Sequence, residues 1–182
     1  IGLGWAQVRG AGSPIWPAAG VGIAGLMLGG VRLWPAMVIG RLAASVLTGS
    51  EQPLWAEIAI AGGNALATVI PALILSRLGK WEESLQSLGG FLRFCLFGVL
   101  GQALLAGLIG TAVLVLSSGS EVPSVLKVFS NWSIGAFVGA LTVGPLILAW
   151  STKTGRWTAR RIAGFAALMA VTMPVLSAFS SP

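Results

Sequence analysis

Arg41 stands in an apolar stretch with no other charged residue within eight positions on either side. A guanidinium at membrane depth costs about 2.5 to 3.5 kcal/mol on insertion scales, and it normally faces a bundle interior with a partner. Glu57, just inside the next apolar stretch, is the natural counter-charge. Asn64 and Gln102 can supply further acceptors from neighbouring helices. The chemistry open to this set is contact with an anion or polar ligand inside the bundle. Arg41, Glu57, Asn64 and Gln102 are therefore the ligand or relay candidates. Two plainer roles compete: a structural ion pair, and an arginine whose head reaches back to the interface.

Other chemistry is excluded by residue type. With no His and a single Cys, Cys95, the usual heme, zinc and copper ligand sets cannot be built from this chain alone. A Ser–His–Asp nucleophile is impossible without His, and no Gly-x-x-x-x-Gly-Lys phosphate loop occurs. A proton-coupled transporter would carry acids deep within its spans. Glu57 is the one acid near that description, and it lies close to an end. The expectation is a non-enzyme with no catalytic residue, metal site or cofactor of its own. A bound lipid, or a pigment or heme shared with partner chains, stays open.

The elements that position these residues follow from hydropathy. Of 182 residues, 55% are hydrophobic and 9% charged, with mean hydropathy +0.90. A soluble domain carries about a quarter of its residues charged, so lipid must cover most of this surface. Six apolar stretches lie between charged or turn-forming punctuation: Ile15 to Val31, Leu33 to Leu47, Leu54 to Leu78, Phe91 to Leu116, Val125 to Trp150 and Ile162 to Phe179. Inside lipid every backbone amide must be satisfied within its segment, which dictates helices. The fold expected is an all-α membrane bundle of about six transmembrane helices, with residues 1–182 as one domain. The first two stretches are short and joined tightly at Arg32, so they form a hairpin that tilts or does not cross fully.

The net charge of +6 does not indicate nucleic acid, because the basic residues sit between apolar runs and not along a solvated stripe. Arg32, Arg77, Lys80, Arg93, Lys153, Arg156, Arg160 and Arg161 fall on one side of the six-span arrangement, and the positive-inside rule makes that side cytoplasmic. Arg9, Lys127, Glu51, Glu57 and Glu121 fall on the other, and both chain ends face outward with them. Trp16, Trp34, Trp55, Trp81, Trp132, Trp150 and Trp157 lie near span ends, as in an aromatic belt. Gly25 with Gly29, and Gly135 with Gly139, repeat one turn apart and are the helix-packing candidates. Pro35, Pro71, Pro145 and Pro174 interrupt apolar runs and predict kinks.

One set of motifs resembles a known family. Ser13-Pro-Ile-Trp-Pro-Ala-Ala-Gly20 is followed by Arg32-Leu-Trp-Pro35, then Gly62-Gly-Asn64 with Ser76-Arg-Leu78. Trp132-Ser-Ile-Gly135 then leads through Gly139 to Gly144-Pro145-Leu-Ile-Leu-Ala-Trp150. In this order they resemble membrane-associated sensor domains of the first MASE type, over residues 13–150, with residues 151–182 supplying a further span. The resemblance implies a bacterial inner-membrane input domain, often of about eight spans, preceding a histidine kinase or diguanylate cyclase module. On that pattern the chain corresponds to the middle of the domain, with an outer helix missing at each end. The sequence departs from the family where Ala136 and Ala67 stand at positions that tend to be acidic and Ser45 at one that tends to be Asn.

The function expected is a non-catalytic sensory or regulatory domain that transmits a signal to an effector. The alternative is a structural or accessory subunit packing against other chains of a membrane complex; a small transporter component ranks third. Partners expected are membrane lipids, other membrane helices or a cytoplasmic effector module, and no nucleic acid.

Overall fold

The punctuation that separates the apolar runs also sets where helices begin and stop. The computed structural model describes residues 15–50, 52–79, 87–118 and 124–152. Helix α1 spans Pro17–Gly29. Its proline occupies the first turn, where a missing N–H costs nothing and the fixed φ favours the helix. It ends at Gly30, whose φ of 85° suits glycine. A 3₁₀ turn, Val31–Leu33, leads into α2, Trp34–Thr48. Pro35 lies in the first turn of α2, so it starts that helix instead of kinking it. Gly49, with φ of 63°, closes α2, and Ser50 N–H reaches back 3.0 Å to Ser45 O.

After Pro53 the chain runs through α3, Leu54–Leu78, with Pro71 inside it. Helix α4 starts as Leu88–Arg93, with the Ser87 hydroxyl accepting from Gly90 N–H, widens into a π-helical stretch Phe94–Leu100, and continues as Gly101–Ser118. Helix α5, Val125–Thr152, contains Pro145. The described residues thus hold five helices, and α3, α4 and α5 are long and apolar enough to cross a membrane. Helices α1 and α2 have 13 and 15 residues. At 1.5 Å per residue they reach only about 20 to 22 Å, short of a hydrocarbon core about 30 Å thick. The stretch Ile162 to Phe179 and the bounds of the single domain at both ends lie outside the described residues.

Helix α3 is the centre, packing against α1, α2 and α4. The core joins Ile23 and Leu26 of α1, Ala67 and Leu75 of α3, Phe94 and Val99 of α4, and Ala140 and Leu148 of α5. Leu66, Leu108, Leu126 and Ile134 stay exposed on the outside of the long helices. Apolar surface of that extent is unusual for a water-soluble monomer and suits hydrocarbon.

Glycine permits the closest approach. A Cβ added to Gly20 of α1 would lie 2.7 Å from the backbone nitrogen of Gly144 in α5, and one on Gly139 would overlap the Trp16 carbonyl. Trp16 N–H donates 2.9 Å to Gly135 O. The Gly135–Gly139 turn of α5 therefore receives the start of α1. At the other pair the geometry differs. A Cβ on Gly25 would meet nothing within 4 Å, and one on Gly29 would meet only Leu33 in the following turn. Among the described residues, no second helix uses the Gly25 position for a close crossing.

This docking places α1 at an unusual depth. Gly135 is the eleventh residue of the 28-residue α5. Gln102, which reaches Ala19 of α1, is the fifteenth of thirty residues from Leu88 to Ser117. The first turn of α1 thus begins near the middle of the bundle, not at a surface.

Candidate functional site

Two polar groups interrupt the apolar interior, and both include residues singled out by the sequence. The first lies where α2, α3 and α4 meet at the Gly49–Pro53 end of the bundle. Arg41 projects from the middle of α2 and Glu57 from the first turn of α3. Their side chains form an ion pair, Nη1 to Oε2, of 2.9 Å, and are only 14% and 7% exposed. The N–H is not aimed along this contact, so the pair is a charge contact without an aligned hydrogen bond. The Ser50 hydroxyl donates to Glu57 Oε1. The Gln52 backbone N–H donates 3.4 Å to Ser50 Oγ, and Gln52 Oε1 accepts from the Ser117 hydroxyl of α4 at 3.1 Å.

The electrostatics of this cluster are asymmetric. Glu57 gains from Arg41, from the Ser50 hydroxyl and from the positive end of the α3 dipole. Among the described residues Arg41 has one acidic partner, and its guanidinium makes no other ion pair or side-chain hydrogen bond. An arginine head carries five N–H donors in a fork that fits a carboxylate two at a time. Most of that capacity is unused by the described residues.

The second group is neutral and lies at mid-depth. Gln102 Nε2 donates 3.1 Å to Ala19 O of α1 and 3.0 Å to Thr68 Oγ1 of α3. Thr68 passes its own proton to Asn64 O at 2.9 Å. One amide thus ties three helices together, and Gln102 and Thr68 are both almost fully buried. Asn64 contributes its backbone carbonyl here, and its half-buried side chain stands outside the node. Gln102 Oε1, Thr111 Oγ1 and Ser133 Oγ are buried without a hydrogen-bond partner among the described residues.

The structure therefore joins Arg41 to Glu57 and Gln102 to the turn below Asn64, as two separate groups. Sequence reasoning missed Ser50, Gln52, Ser117 and Thr68. The first three flank helix ends, where polar residues are ordinary, so only their clustering around a buried charge marks them. Thr68 follows Asn64 by one helical turn, which is the sole hint. Two tryptophans depart from the belt pattern: Trp16 and Trp132 pack against the core. Gly110 makes this possible for Trp132, since a Cβ there would lie 2.6 Å from the indole. Trp34 and Trp55 remain about half exposed. No group of three or more metal-ligating side chains occurs among the described residues.

A helical bundle whose long helices are apolar outside and joined by sparse polar contacts inside defines a polytopic membrane domain. The chain belongs to the MASE1 family of membrane sensory domains, whose profile matches residues 4–181. It is also 29% identical over 141 residues to a protein named "Probable diguanylate cyclase DgcE" from Escherichia coli strain K12. That match covers 74% of this chain and 12% of the relative, so the similarity lies in the sensory region and the cyclase part is not matched. No solved structure matches.

Proposed function

We propose that this chain is the membrane-embedded input domain of a bacterial signalling protein, residing in the inner membrane. The observation that carries the reading is the MASE1 match across residues 4–181, together with a relative whose name assigns it a cyclase activity that the matched region does not contain. The domain itself performs no catalysis. It biases a helix arrangement and passes that bias to a cytoplasmic effector module of the diguanylate cyclase kind. The end of the bundle carrying exposed Arg32, Arg77 and Arg93 faces the cytoplasm, in keeping with the excess of basic residues expected there. The Arg41–Glu57 cluster then opens toward the outside.

The bundle offers a concrete means of transmission. Ligand contacts made differently in two helix arrangements shift the population between them. The outer cluster fixes α2 to α3, and the Gln102 node fixes α1 to α3 and α4. A change at the first group reaches the second along α3, which contributes to both. The test is a chimera in which this chain replaces the matching region of the Escherichia coli relative. Cyclic di-GMP output that changes when Arg41 or Gln102 is substituted, at equal protein level, supports the reading. Output indifferent to every substitution in both groups, in a correctly inserted chimera, would defeat it. In that case copurification with other membrane proteins would support the accessory-subunit alternative.

A further inference from the structure

We propose that the Arg41–Glu57 cluster is a binding site for a small zwitterion bearing a carboxylate and an ammonium group on neighbouring carbons, of the α-amino-acid type. The proposal rests on the sensory reading for its biological sense and on the cluster's geometry for its chemistry. Arg41 Nη1 and Glu57 Oε2 lie 2.9 Å apart and are buried, yet neither gains an aligned hydrogen bond from the other. A contact so arranged leaves both groups receptive to a partner with better geometry.

Charge balance selects the class of ligand. Among the described residues the cluster holds one cation and one anion. A lone carboxylate added there leaves a net negative charge in a low-dielectric setting, and a lone ammonium leaves a net positive one. Buried charge without compensation is costly. A zwitterion keeps the sum at zero while supplying each protein group with an opposite charge. Its carboxylate takes the unused fork of Arg41, and its ammonium takes Glu57. Glu57 does not depend on Arg41 alone, since the Ser50 hydroxyl and the α3 N-terminus also stabilise it. Arg41 can therefore turn toward a ligand when the ligand's ammonium takes its place beside Glu57.

The surrounding groups are those such a ligand needs. Ser50 and Gln52 sit on the short connection between α2 and α3, and Ser117 sits at the end of α4. They form a hydrogen-bonded chain from Glu57 to α4, so seating a ligand at the ion pair acts on three helices together. Ala56 and Ile60 of α3 and Val113 of α4, close in sequence to Glu57 and Ser117, form a buried apolar cluster.

The experiment uses the complete protein in lipid nanodiscs, titrated by calorimetry with glycine, with acetate and with methylammonium as separate probes. Glycine is expected to bind, with the two single-charge probes at least about tenfold weaker. Arg41→Lys keeps the charge but loses the fork, and is expected to weaken glycine binding about tenfold. Glu57→Gln is expected to remove the preference for glycine over acetate. If either variant fails to fold, the comparison of probes on the unmodified protein still decides. Equal binding of acetate and glycine, binding of methylammonium alone, or no binding of any probe overturns the proposal. Glycine binding without any change in effector output keeps the site and rejects the signalling role. Output that responds to Arg41→Lys while no probe binds does the reverse.

Discussion

Arg41 and Gln102 are both polar side chains inside a lipid-covered bundle, but they are held in opposite ways. Gln102 is neutral, lies halfway along α4, and spends both amide protons on protein acceptors. Arg41 is charged, lies nearer the Gly49–Pro53 end, and pairs with Glu57, with no other ion pair or side-chain hydrogen bond among the described residues. The difference teaches where stability and responsiveness separate in this domain. With both amide protons bound, Gln102 holds α1 and α3 to α4 at mid-depth. A guanidinium with one paired contact can exchange that partner for another of the same charge.

The sharpest way to break this contrast is at Gly139. Replacing it with Leu forces a side chain into the Trp16 carbonyl and should detach α1, since overpacking against backbone costs about 1 to 3 kcal/mol or more. Gln102 then loses its Ala19 acceptor, while the Arg41–Glu57 contact, made without α1, persists. A large fall in folded yield on size-exclusion chromatography in detergent is the expected result. Next in size, Arg41→Leu strands Glu57 and should cost about 3 kcal/mol, the lower end for breaking a buried pair. The double variant Arg41→Leu/Glu57→Leu should recover most of that loss, and equilibrium unfolding in mixed micelles measures both. If the double variant is no more stable than the single one, the two side chains are not coupled.

Gln102→Leu should cost about 1 kcal/mol, in line with membrane hydrogen bonds that average about 0.6 kcal/mol each. It should lower unfolding stability while leaving the Arg41–Glu57 ion pair in place, which separates the two contacts directly. Smallest, Ser117→Ala should cost no more than about 0.6 kcal/mol. Its main effect is expected on amide hydrogen exchange, with faster exchange in the Gly49–Pro53 connection.

The sequence told more about the ends of elements than about their depth. Burial cost alone pairs Arg41 with Glu57, because no other acid lies so close to a span. Hydropathy sets α3 at Leu54 to Leu78, the same bounds that the structure shows. The same reasoning could not place α1 vertically, since a short apolar run reads alike at any level of the bilayer. Nor could it choose between glycine pairs: the spacing of Gly25 and Gly29 matches that of Gly135 and Gly139, and only packing shows which meets a backbone. Thr68 was silent for a related reason. A helical hydroxyl usually satisfies itself on the carbonyl one turn back, as Thr68 does on Asn64, and nothing local reveals that it also accepts from α4. Ala136 and Ala67 are buried in the core, so these sites belong to the packing.

The contact between Trp16 and the Gly135–Gly139 turn also orders events during synthesis. A ribosome completes α1 long before α5 exists, and a 13-residue apolar helix is too short to settle in a bilayer unaided. Until the receiving turn arrives, α1 can pack against α3 and meet Gln102 of α4, but its start lacks the seat on α5. Final assembly of this domain is therefore a late step, taken only after nearly all the described helices have been made.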